Sequence, residues 1–485
     1  MQVTRFAPGS ADAPPSRNAA RGPQAVVSAS RPLKVVLFLV IVLTISRLHQ
    51  RFAALESLRP AALLVGLALF LLLLQPRLLA SHAWTRTWPA RLVALLGLLA
   101  CASAPFGISF GATAYFILEY YSKVLVLAFV LMATIRGTEE MATFVWAYVV
   151  GCGVLVWMAL FVFRVTLTPD GALYRLSHLD MWDGNDLGCV LVTGFPLTML
   201  AFRTSRGMAR ILSGITLVGI AMTTARTGSR GALVGLLAVG LTILVYLNSV
   251  SMAKRVGTLV VTAAALFAAA PPGYWKQMST LAEIESDYNW YAPGGRKQLA
   301  LRGLHYMLSY PLLGLGAGNF GRAEGTISDL AHDWSPGKRW VPWNAAHNSY
   351  LQAGAELGVP GLVAWTSLVL GGIVAMRRLR RRLPEHWSRG NRDERFLFHA
   401  PLYLLLAMLG FAVTCSFVSF AFLDPVYILA AFMSGLYVAL DTHLTPAAGA
   451  RRPELPNRSI GRKIVADDEQ LALGPVSQRG RDPRQ

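Results

Sequence analysis

The sequence predicts an all-α polytopic membrane protein of about twelve transmembrane helices, with one large outer loop between helices 9 and 10. Three observations predict it. Of 485 residues, 54% are hydrophobic and only 15% charged, a balance that soluble domains do not usually show. Several apolar runs reach the roughly 20 residues that cross a bilayer as a helix. Lys and Arg gather on alternate connections between those runs, which is how membrane orientation is encoded.

The apolar runs lie near 33–46, 60–75, 90–106, 114–135, 141–163, 187–202, 208–225, 231–248, 256–271, 347–376, 398–418 and 423–441. With the N-terminus inside, the inner connections hold Arg77, Arg86 and Arg91; Arg136; Arg203, Arg206 and Arg210; Lys254 and Arg255; and the basic run from Arg377 to Arg382. The outer connections near 107–113 and 419–424 hold no Lys or Arg. This orientation places residues 272–346 outside. The chain then divides into a tail at 1–31, nine helices within 32–271, the outer loop at 272–346, three helices within 347–441, and a tail at 442–485. Both tails are polar, rich in Pro and Arg, and expected to be disordered and cytoplasmic. The polar lead is too long for a cleaved signal peptide, and no small-residue cleavage site follows.

The net charge of +19 invites a nucleic-acid partner. The basic residues sit between apolar runs and in the tails, where they serve topology and lipid headgroups. No zinc-finger spacing or RNA-binding motif accompanies them. Cys101, Cys152, Cys189 and Cys415 all lie in apolar stretches, far apart in sequence. They read as small buried hydrophobes with no disulfide framework and no metal site.

The longest polar segment meets an apolar helix between Asn344 and Gly361. His347 and Asn348 at that junction face water and membrane at once. Gly354, Gly358 and Gly361 follow at four- and three-residue spacing, a small-residue stripe against which another helix can pack closely. These residues alone fit a polar cap and packing stripe as well as they fit a functional site.

Some arginines stand where positive charge is normally depleted. Arg226 and Arg230 fall in the short outer turn from Thr224 to Gly231, and Arg47 and Arg51 just outside the first run. A planar guanidinium pairs two phosphate oxygens and keeps its charge on burial, so an anion at the membrane surface is one reason. Snorkelling to lipid phosphates is the other. Residues 295–308 carry apolar side chains at helical spacing and should form an amphipathic helix. Ser309-Tyr310-Pro311 ends it, and a glycine-rich turn, Leu313 to Phe320, follows. No strand-to-helix context and no Gly-Lys-Ser/Thr support a nucleotide-binding loop there.

Asp180, Asp183, Asn185 and Asp186 form an acidic loop before the sixth run. Carboxylates in such a loop can hold a divalent cation; the same residues make an Asp/Asn/Gly turn and helix cap, and we take the turn. Glu119 and Lys123, four apart in the fourth run, can pair on one helix face. Buried, such a pair is costly and often functional.

Four segments, in order, resemble the O-antigen ligase and polymerase superfamily. His347-Asn348, nine residues, then Gly358-Val359-Pro360-Gly361 is similar to its His-Asn/Ser/His, nine-residue gap, Gly-x-x-Gly signature. Gly295-Arg296, fifteen residues before Pro311, leads into a segment like that family's outer loop. Thr227 to Ala232 resembles its Ser-Arg-Gly element, and Asp183 to Leu187 its Asp-x-Asn loop. The resemblance spans roughly residues 35–440. It implies a multi-pass protein of the bacterial inner membrane, its site and large loop periplasmic. The implied enzyme is a glycosyltransferase of lipopolysaccharide or other polysaccharide biosynthesis. Its donor is a glycan on undecaprenyl diphosphate; its acceptor is a hydroxyl of lipid A-core, a glycan or a protein. A ligase is the first reading and a repeat-unit polymerase the alternative. No cofactor, metal or nucleic acid is implied.

The chemistry makes sense of those residues. The leaving diphosphate is an anion and suits arginines. The acceptor hydroxyl is a poor nucleophile and needs a base near neutral pH, which a histidine supplies. On this reading His347, Arg230 and Arg226 are catalytic, and Arg296, Asn348, Asn185, Arg47 and Arg51 bind substrate. A transporter would also suit twelve spans and a buried Glu119–Lys123 pair. Its substrate site would lie at the midplane, whereas these candidates gather on the outer side.

Overall fold

The computed structural model describes residues 28–80, 82–167, 174–177, 182–246, 250–279, 281, 294–332 and 343–444. Nearly all of both expected tails, parts of the outer loop, and Asp180 lie outside the described residues.

Each expected apolar run falls on a helix. Helices α1 (Arg31–Ser46), α2 (Pro60–Leu73) and α3 (Trp88–Ser103) each carry a proline in the first turn, where its missing N–H costs no hydrogen bond. Helices α4 (Phe110–Thr134) and α5 (Thr138–Val162) each contain a π-helical turn. A two-stranded antiparallel hairpin, β1 (Arg164–Leu167) and β2 (Tyr174–Ser177), pairs Arg164 with Ser177. There follow α6 (Gly184–Thr204), α7 (Gly207–Thr227), α8 (Arg230–Tyr246), α9 (Met252–Ala269), α10 (Arg296–Ser309), α11 (Ser349–Arg382), α12 (Arg392–Phe417) and α13 (Asp424–Leu444). Among the described residues nine helical segments are long and apolar enough to cross a membrane; α3 and α8 are apolar but shorter.

Helices α6, α12 and α13 are buried nearly all round and form the centre, whereas α9 buries only Ala265 and Leu266. Without a hydrophobic drive between helices in lipid, close packing has to hold them together. Small residues supply it. A side chain at Gly188 would meet Ala232, and one at Gly410 would meet Val192 and Val239, so α6, α8 and α12 approach closely. Tyr121 and Tyr427 hydroxyls meet at 2.8 Å and tie α4 to α13.

One expectation is corrected and another is refined. The Glu119–Lys123 pair is not buried: Glu119 is 28% and Lys123 36% exposed, and Arg59 joins them at 2.7 Å. It is a surface network on the π-helical turn, and it leaves the transporter reading without its buried charge. The glycine stripe of α11 receives another helix at Gly354, while Gly358 serves a different purpose. Gly354 lies against Met307 of α10, and Gly358 takes φ 71°, ψ −171° and kinks α11, a conformation essentially reserved for glycine. The kink receives the glycine-rich turn: Val359 N–H donates to Pro311 O, and Leu315 and Gly316 N–H donate to Ala355 and Glu356 O.

The amphipathic helix expected at 295–308 is α10, which buries Leu299, Gly303, Tyr306 and Met307. Arg302 pairs with the fully buried Glu324 at 2.6 Å, and Tyr306 donates to the same carboxylate at 3.0 Å. These contacts tie α10 to the short helix Phe320–Thr326 that holds Glu324, and so hold Arg296 at the first turn of α10.

Candidate functional site

His347 stands between the outer segment and α11 in a left-handed conformation, φ 48°. Such backbone is uncommon for a side chain with Cβ and persists only when neighbours hold it. The loop between α12 and α13 is that neighbour. His347 N–H donates to Ser419 Oγ at 2.9 Å; Ser349 Oγ donates to Val418 O and accepts from Phe420 N–H, both at 2.8 Å; Ala421 N–H donates to Gln352 Oε1 at 3.1 Å. Asn348 caps α11, its Oδ1 accepting from Tyr350 and Leu351 N–H. The cap reading of Asn348 is therefore realised, and His347 is oriented by the cap and the loop together.

The same loop gathers the arginines. Phe417 lies under the guanidinium of Arg296, 5.5 Å from its ring centroid. A side chain at Gly231 would collide with the Phe417 ring, so the first turn of α8 closes on it, and Arg230 opens that turn. Ser229, next to Arg230, donates to Asn185 Oδ1 at 2.8 Å and accepts from Ala232 N–H. Asn185 thus braces the α8 turn, which leaves its carbonyl oxygen engaged. Asp183 caps α6: its Oδ1 accepts from Asn185 and Asp186 N–H at 2.6 and 2.7 Å. From Asp183 to Asp186 the acidic segment is a helix cap. Among the described residues no three His, Cys, Asp or Glu side chains converge as a metal site would require.

Arg47 joins from the end of α1, also left-handed at φ 47°. Its guanidinium sits 3.6 Å above the Trp182 ring, and Trp182 packs on Phe420. Burial lowers the Arg47 pKa, while Asp424 and Asp186 pull it back up. Trp182 Nε1 is buried with no partner among the described residues. Arg51 is exposed at the end of the following turn, Leu48–Arg51. Arg226 differs from its expected place. It lies within the last turn of α7, with Gly228 turning the chain, and its Nη1 donates to Leu160 O at 2.9 Å.

Five helices, α6, α8, α10, α11 and α13, begin around this group. Helix N-termini carry partial positive charge and attract anions, which adds to the arginines. The electrostatics act on His347 too. Burial lowers its pKa most, Arg296 lowers it further, and Asp183 opposes them. Burial and Arg296 thus favour the neutral imidazole, the form in which it accepts a proton.

Sequence reasoning missed Phe417, Ser419, Trp182 and Glu356. Glu356 is buried in α11 and accepts from Gly318 N–H at 2.5 Å and Phe320 N–H at 3.1 Å, clamping the glycine-rich turn. An acidic residue inside an apolar run was the available signal. Trp182 lay in the acidic loop already singled out.

Residues 215–366, from the middle of α7 to the first half of α11, match the family model described as O-antigen ligase. That segment carries Arg226, Arg230, Arg296, His347 and Asn348. No curated protein matches the chain.

Proposed function

From the match of residues 215–366 to the O-antigen ligase family model, we propose that the chain is a member of the O-antigen ligase and polymerase superfamily and transfers a glycan from a polyprenyl diphosphate to an acceptor hydroxyl at the outer face of the inner membrane. The observation that carries this is the joint anchoring of His347, Arg296 and Arg230 around Phe417 and the loop after it. His347 removes the acceptor hydroxyl proton. The freed oxygen attacks the anomeric carbon as the bond to the diphosphate breaks, and the electron pair leaves with the diphosphate. Arg230 and Arg296 hold that charge through paired phosphate oxygens. Arg47, on Trp182, extends the cationic surface. Arg226 supports the α7–α8 turn through Leu160. A single displacement inverts the anomeric centre.

The acceptor of the ligase reading is lipid A-core; the polymerase reading replaces it with a lipid-linked repeat. The glycan ladder of a deletion strain separates them. Long chains that are never attached to core support the ligase, and single unpolymerised repeats support the polymerase. Transfer by purified protein in detergent, with no ion gradient, supports an enzyme over a transporter. The sidedness is part of the proposal: a reporter fused after residue 330 should register as periplasmic and one after 385 as cytoplasmic.

A further inference from the structure

The other end of the bundle holds a second site. Helix α6 runs from the His347 group at its start to Arg203 near its end, about 30 Å away for a helix of this length. There α6, α7, α9 and α12 enclose a cavity of about 760 Å³. Six cations line it: Arg203, Arg206, Arg210, Lys254, Arg392 and Arg395, and none of its lining residues is acidic. The carboxylates between Arg392 and Arg395 in sequence are engaged elsewhere. Asp393 accepts from Thr138 Oγ1 at 2.7 Å, and Glu394 accepts from Asn391 N–H at 2.7 Å as a helix cap.

This is more than a solvated basic face. Arg203 is only partly exposed, and its Nε donates to Nε2 of the buried His399 at 3.0 Å. Accepting that bond puts the neutral imidazole's proton on Nδ1, and Nδ1 is buried with no partner among the described residues. Much of the remaining lining is apolar, with Phe195, Met199, Leu217, Val218 and Val261. Gly257 on α9 leaves open space where a side chain would stand. A cluster of cations above an apolar slot between membrane helices matches a ligand with an anionic head and a hydrocarbon tail.

The geometry points to a binding site for one phosphate-headed lipid between α6, α7, α9 and α12, its phosphate on Arg203 and Arg395 and its chain along Phe195 and Met199. The site stands apart from the proposed transfer site and does not depend on that reading. The lipid's source is either bulk phospholipid or the polyprenyl carrier, which share this chemistry.

The test uses purified full-length protein, stripped of lipid in neutral detergent. It is mixed with phosphatidylglycerol, undecaprenyl phosphate or glycerol 3-phosphate, and bound ligand is counted by native mass spectrometry. One lipid should be retained per chain: phosphatidylglycerol identifies a bulk lipid site, undecaprenyl phosphate alone a carrier site. Replacing Arg203→Gln with Arg395→Gln should weaken retention roughly 25-fold, about fivefold per cation removed. Gly257→Phe should abolish retention by filling the slot, with all charges kept. Arg378→Gln with Arg381→Gln, the same charge loss outside the cavity, should change nothing. The proposal is overturned if no lipid is retained, or if glycerol 3-phosphate competes as well as lipid. It is equally overturned if the control pair loses as much as the cavity pair, or if Gly257→Phe binds like the wild type.

Discussion

Replacing Glu356→Gln tests how the outer segment is held over the site. The carboxylate is 2% exposed and accepts two backbone N–H groups, from Gly318 and Phe320. Glutamine keeps one acceptor oxygen and turns an NH2 group toward the other donor. One charge-assisted bond is lost and two donors face each other, a cost of about 2–3 kcal/mol. Glu356→Ala leaves both N–H groups buried and unpaired, at about 1–3 kcal/mol each. The glycine-rich turn and α10 share α11 as their support, so loosening the turn loosens Arg296. In detergent, Glu356→Gln should lower the unfolding midpoint by a few degrees, expose residues 311–320 to protease, and raise the donor KM more than it lowers kcat. Glu356→Ala should do all three more strongly. An unchanged midpoint with an unchanged protease pattern would refute the clamp.

Other expectations follow from the same geometry. Arg230→Ala should cost more transfer activity than Arg230→Lys, because lysine keeps the charge and loses the bidentate fork; a lysine variant as active as wild type would make Arg230 a packing residue. Asp183→Asn keeps a good cap for α6 but removes the anion that raises the His347 pKa, so the acid limb of the pH–rate profile should move to lower pH. A limb that stays or moves up would separate Asp183 from His347. Activity should persist in EDTA, since Asp183 Oδ1 is engaged by two N–H groups. Loss on chelation and rescue by magnesium would move Asp183 and Asp186 into the mechanism.

Much of this architecture was legible because lipid imposes simple rules on sequence. Apolar length marked the helices, and 3.6-residue spacing marked α10. What the sequence could not supply were meanings that arise from distant partners. Gly358 looks like one of three stripe glycines until Pro311 O is found where its side chain would be. Phe417 and Ser419 read as an ordinary helix end, and only the approach of Gly231, Arg296 and His347 makes them a hub. Asn185 and Asn348 show the reverse: an amide beside a candidate site looks like a ligand, yet both oxygens are used by Ser229 and by the start of α11. Sequence spacing does not distinguish a cap from a contact.

The central claim is that His347 is the base, and its most direct test is single-turnover transfer by His347→Ala and His347→Gln across pH. Both variants should insert and fold, because the hydrogen bonds of residues 347–352 with the 418–421 loop do not use the imidazole. The chemical step should slow by about 10²–10⁴-fold, roughly 3–5 kcal/mol of transition-state stabilisation, with donor affinity little changed. In the wild type the acid limb should lie below the ordinary histidine value of about 6.5, since burial and Arg296 depress it, and the limb should vanish in both variants. A folded glutamine variant with near-normal turnover and an intact acid limb would contradict the assignment and leave His347 as part of the turn at the start of α11.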